Sequence, residues 1–103
     1  LAVTSARRLP ALPQVPTMGE AGLKDFVVEQ WHAVFAPART PAAIVQRLNA
    51  EIAKALKDPA VTALADKLGI TLVGGTPGQL AALQKADSAK WAKVIRDGNI
   101  KAD

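Results

Sequence analysis

The sequence has no cysteine and no tyrosine, and one histidine and four aromatic residues in 103. Without cysteine there is no disulfide framework, no thiolate nucleophile and no Cys-type zinc site. The single imidazole, His32, has no second one with which to share a metal. Serine occurs only at Ser5 and Ser88, so a Ser–His–acid triad has no motif behind it. These shortages leave no catalytic residues, no metal site and no cofactor to expect, and the chain reads as something other than an enzyme. No run approaches the ~20 apolar residues of a membrane span. No charged leader precedes an apolar run, so no signal peptide is expected within the chain. It opens at Leu1 rather than Met, which suggests a removed leader or a piece of something longer.

What is present is a globular composition, half hydrophobic and 21% charged. Of the apolar residues, 21 are Ala, so a core has to rest on 11 Leu, 9 Val and 5 Ile. At ~25 cal/mol per Å2 of apolar burial, such a core offsets chain entropy only narrowly, and a small chain of this kind leans on a partner surface. The net charge is +4 and the isoelectric point near 9.8. The acidic residues are interspersed among the lysines, and the one basic pair is Arg7–Arg8. A nucleic-acid surface needs a basic cluster with aromatics for stacking, so none is expected here.

Residues 1–5 read as a short strand. Three prolines at spacing three (Pro10, Pro13, Pro16) exclude helix from 7–16. Thr17 to Glu20 fits a capping box, and Gly22 supplies the stop, so one helical turn is expected at 17–21. Residues 26–35 are β-branched and aromatic. Phe26, Val28, Gln30, His32 and Val34 lie on one face, and Val27, Glu29, Trp31, Ala33 and Phe35 on the other, which suits a strand covered on both sides. Thr40-Pro41 opens a helix over 41–57 with Thr40 as N-cap. It carries a stripe of Ile44, Val45, Leu48, Ile52 and Leu56. Asp58-Pro59 opens the next helix, which Gly69 ends. Residues 70–73 read as a strand. Thr76 to Gln79 is a second capping box, starting a helix over 76–97 with Gly98 as its C′ residue and Ile100 as the hydrophobic follower. The order implies an α/β layer architecture, helix-rich with short strands.

Three places carry candidate chemistry. The 74–79 stretch, GGTPGQ, lacks the lysine of a P-loop; its helix start could attract an anion, but a turn plus cap accounts for it. Trp31 and His32 read either as a ligand contact at a cleft or as a polar tip at a strand edge. Asp87 falls on the apolar wheel face with Leu80, Leu83, Trp91 and Val94. It reads either as a structural ion pair, with Arg47 one possible partner, or as a site carboxylate.

The runs ARRLPALPQVPTMGEAGLKDF, WHAVFAPARTPAAIVQRLNAEIAKALKDPAV, LGITLVGGTPGQL and AKWAKVIRDGNIKA resemble the C-terminal part of one family. It is the Bug-type extracytoplasmic solute receptors of tripartite tricarboxylate transporters. The patterns SxxRxxxLPxVPTxxEAG and W…FAPxxTPxxIVxxLNxEIxKALxDPxV carry the likeness, which covers essentially all of the chain. The resemblance implies a two-lobed type II periplasmic-binding-protein fold, with a small carboxylate held between the lobes and handed to a membrane permease. On that likeness residues 1–30 finish the second lobe, 31–40 cross the hinge, and 41–103 form a helical part packing on the first lobe. Trp31 and His32, and less so Thr17, are the ligand-binding candidates it suggests. His32-Ala33 stands where the family often has an aromatic followed by Gly. Asp87 matches a position where relatives commonly carry Glu, which favours the structural ion pair. A chain of this kind, alone, is expected to bind no carboxylate usefully. The alternative is a small α/β interaction module with no ligand of its own, and the chain is expected to self-associate as a dimer or higher oligomer, with exchange of the segment before Pro37 as one route.

Overall fold

Three helices carry the regular structure: α1 (Ala42–Ala55), α2 (Pro59–Leu68) and α3 (Pro77–Asp97). The structure is a computed structural model and describes residues 1–101. Chain contacts divide it into two compact units, Leu1–Phe35 with Ala63–Thr71, and Ala36–Thr62 with residues 72–101.

In the first unit, residues 3–6 run between two other stretches of backbone. Val3 N–H donates to the Pro16 carbonyl at 2.8 Å, and Met18 N–H donates to the Val3 carbonyl at 2.9 Å. Val28 N–H donates to the Thr4 carbonyl at 2.9 Å, and the Glu29 carboxylate takes the Ala6 N–H at 3.0 Å. The strands expected at 1–5, 26–35 and 70–73 are corrected by this arrangement. Among the described residues a single parallel bridge, Val3 to Thr17, is all that forms of the first, and the other two run without a ladder. The reason lies in the neighbours. Pro16 has no N–H to give, and the chain coils into a turn straight after Thr17, so the ladder stops after one step.

The 17–22 turn closes as expected. Thr17 Oγ1 accepts from Glu20 N–H at 3.1 Å, and Glu20 Oε2 accepts from Thr17 N–H at 2.8 Å. Gly22 takes φ +106°. Leu23 N–H reaches the Met18 carbonyl and Gly22 N–H the Gly19 carbonyl, the paired bonds of a Schellman end. α2 ends in the same way at Gly69, φ +68°, with Ile70 N–H on the Ala65 carbonyl at 2.8 Å. α3 does too, but with one change. Gly98 stays right-handed at φ −85°, and Asn99 takes the left-handed position at φ +48°, with Ile100 N–H on the Ile95 carbonyl. Asn tolerates that region better than other side chains, so Asn99, not Gly98, is the C′ residue.

In the second unit, α1 is shorter than the expected 41–57, and its N-cap is Pro41 with no side-chain cap. Thr40 lies one residue before that cap position, and its hydroxyl donates to the Pro37 carbonyl at 2.8 Å. Asp58 does cap α2, its Oδ1 accepting from Ala60 N–H at 2.8 Å. Thr76 and Gln79 form the reciprocal capping box of α3, at 2.8 and 3.2 Å. Asn49, a polar residue of α1, is half-buried and donates through Nδ2 to the Gly75 carbonyl at 2.7 Å. That bond ties α1 to the turn that starts α3.

The expected Leu, Val and Ile core is not closed. Among the described residues only Ala65 (5% exposed) is a buried hydrophobe and only Thr17 (8%) a buried polar residue. Val34, Phe35, Leu48, Leu68 and Val73 are exposed. The helices carry amphipathic faces that meet little of this chain.

Candidate functional site

The candidates from sequence fall in both units. Thr17, Trp31 and His32 belong to the first. Thr17 is buried, its hydroxyl oxygen capping the 17–21 turn, and its two flanking peptides make the bridge to Val3. Trp31 is half-buried and engaged. His32, next along the extended stretch, is exposed. A half-buried indole next to an exposed imidazole puts a flat apolar group beside a hydrogen-bonding one, the mix of groups that line small-ligand sites.

Asp87 belongs to the second unit, on α3. It is half-buried, as is Leu80 on the same wheel face, and it is engaged rather than free. Leu83, Trp91 and Val94, expected with it on a buried face, are exposed. The Lys90 ammonium lies 5.4 Å from the Trp91 ring centroid, within reach of a cation–π attraction.

Two features escaped the sequence reading. The first is the ion pair of Arg8 with Glu20. Arg8 Nε donates to both carboxylate oxygens, at 3.1 and 2.9 Å, and Nη1 donates to the Pro13 carbonyl at 3.0 Å. Hydrogen bonding from Arg8, and then from the Thr17 amide, holds the Glu20 carboxyl below its usual value. The signal was in the sequence, since both residues are fixed positions of the SxxRxxxLPxVPTxxEAG pattern. The second is a shallow concavity of about 240 Å3, lined by Ala53, Leu56, Lys57, Leu72, Val73, Gly74 and Gly75. Gly74 and Gly75 of the GGTPGQ stretch line it, while Thr17, Trp31, His32 and Asp87 do not. No cluster of three His, Cys, Asp or Glu suited to a metal occurs among the described residues, and no helix there is long and apolar enough to cross a membrane.

Solved structures share the fold of this chain. The periplasmic binding protein BugD matches 99% of the chain at 34% identity, with a TM-score of 0.83, over 35% of its own length. A structure titled "R. palustris Rpa4515 with adipate" matches 93% of the chain at 36% identity, with a TM-score of 0.79, over 32% of its length. The fold is therefore a helix-rich portion of a periplasmic-binding-protein fold. The model of the tripartite tricarboxylate transporter family receptor matches residues 1–100, and the chain belongs to that family, one of receptors rather than enzymes. Among curated relatives, the UPF0065 protein in the tcbD-tcbE intergenic region of Pseudomonas sp. (strain P51) is 47% identical across the whole chain. Protein BugT of Bordetella pertussis is 38% identical over 98% of it. The chain spans 31% of the length of each of these two relatives.

Proposed function

We propose that this chain is part of a periplasmic receptor that captures a small carboxylate and delivers it to the permease of a tripartite tricarboxylate transporter. The observation that carries the reading is the family match over residues 1–100. The adipate named with one structural neighbour supports the ligand class. Trp31 and His32, and less so Thr17, are the residues offered to the ligand. On the family likeness residues 1–30 complete one lobe, 31–40 cross between lobes and 41–103 pack on the other. Asp87 serves structure, paired to a cation. The test is a thermal-shift screen of the whole receptor against mono- and dicarboxylates. A true ligand raises the melting temperature further as its concentration rises. No stabilisation by any carboxylate tested overturns the ligand class. Calorimetry on residues 1–103 alone should show no carboxylate heat, because one part of an enclosed site cannot desolvate the ligand.

A second reading rests on the exposed apolar surface. In the receptor, the bare helix faces and the 26–35 stretch are covered by the rest of the protein. In the isolated chain, a second copy covers them, by exchange of the segment before Pro37. Sedimentation equilibrium of the 103-residue chain reads this directly, and a monomer with cooperative melting rejects it.

A further inference from the structure

The loop of residues 9–16 has little with which to hold itself. Pro10, Pro13 and Pro16 remove three N–H donors. Within it, Leu12 N–H donates to the Leu9 carbonyl at 2.9 Å and Val15 N–H to the Leu12 carbonyl at 3.0 Å. The Pro16 carbonyl at its end takes the Val3 N–H at 2.8 Å, and the remaining ties come from one guanidinium and one carboxylate outside the loop. Arg8, just before it, binds the Pro13 carbonyl at its middle and both oxygens of Glu20. Glu20 Oε2 in turn receives the Thr17 N–H, just after the loop, at 2.8 Å. Start, middle and end are thus joined through a single ion pair.

We infer that Arg8 and Glu20 are positioning residues that clasp the proline loop shut against the Thr17 turn, and that the clasp opens when Glu20 takes up a proton. A neutral carboxyl loses its attraction to the guanidinium and turns one acceptor into a donor, in a place where both oxygens face N–H groups. Arg8 is the cation on the carboxylate. Arg7 stands beside it in the chain, and the Glu29 carboxylate is occupied by the Ala6 amide. The depressed Glu20 value fixes the direction. The clasp contributes fully at neutral pH, above the unfolded-chain value, and is lost as the pH falls through the lower folded value. Both side chains are nearly half exposed (44% and 47%), so protons and water reach the pair and its strength is that of a screened surface contact.

The experiment is an NMR titration of the full chain from neutral pH into acid. It follows the Arg8 Nε–H and Thr17 N–H resonances and the exchange protection of the Leu12 and Val15 amides. The two resonances should move together with one midpoint below that of an ordinary glutamate. Protection at Leu12 and Val15 should fall about two- to fivefold in the same window. Glu20→Gln should show the loosened loop already at neutral pH and no titration. Arg8→Lys should loosen the loop while the Thr17 resonance keeps its titration, because the Thr17–Glu20 bond survives. Far-ultraviolet circular dichroism reports the helices separately. If Glu20→Gln loses them, the wild-type titration decides alone. Separate midpoints for Arg8 and Thr17 overturn the clasp, as does wild-type protection at Leu12 and Val15 in a helical Glu20→Gln chain.

Discussion

Residues 8–22 and the helix pair α1 and α3 satisfy themselves in opposite ways. In the first stretch, polar groups close on partners no more than fifteen residues away, through the Thr17–Glu20 box, the Gly22 end, the Arg8–Glu20 pair and the Val3 peptide. In α3 the polar ends are equally well finished, at Thr76 and at Asn99. The apolar faces of the two helices, however, are bare at Leu48, Leu83 and Val94. Hydrogen bonds saturate locally. Apolar faces need area, and this chain has too little of it to cover them.

The largest test of that contrast is Leu48→Ala, measured by urea unfolding both in the whole receptor and in the 103-residue chain. In the receptor, with the α1 face covered, the loss should be about 2–4 kcal/mol. In the chain alone, where Leu48 is half exposed, it should be below about 1 kcal/mol. Equal losses would erase the distinction. Gly22→Ala comes next. A side chain at φ +106° costs about 1–2 kcal/mol, and the cost should be the same in both proteins because the strain is local. Thr76→Ala removes the cap bond from Gln79 N–H and should lower stability by about 1 kcal/mol, read as a shift in unfolding midpoint with loss of helical signal. Thr40→Ala is the smallest. The hydroxyl bonds Pro37 and caps nothing, so the change should stay within about 0.5 kcal/mol. A loss matching that of Thr76→Ala would mean that Thr40 is a helix cap after all.

Threonine before proline shows where sequence stops being enough. Thr40-Pro41 and Thr76-Pro77 look alike, yet only the second caps its helix, because α1 starts one residue later relative to its proline, with Pro41 itself at the N-cap and Thr40 outside it on the Pro37 carbonyl. Gly98-Asn99 is a similar case, since either residue can take the left-handed position and the sequence names both. The helices, the Asp58 cap and the capping boxes were legible because each depends on residues within one turn. The strands were not, because a strand exists only through a neighbour, and none of the three finds a continuous one in this chain. Asn49 on the Gly75 carbonyl, across 26 residues, had no local signal at all. Of the site candidates, the chemistry of Trp31 and His32 was visible as residue types, while the exposure that separates them came from the structure.

Arg7 and Arg8 are neighbours of the same chemistry, and the clasp makes them unequal to a protease. A trypsin-like enzyme must draw an arginine side chain into its specificity pocket before it can cut the bond that follows. Arg7 is exposed, with no ion pair to give up. Arg8 would first have to leave Glu20 and Pro13. Cleavage at this basic pair therefore falls after Arg7 while the loop is closed, and the fragment masses from a brief digestion record which arginine was in use.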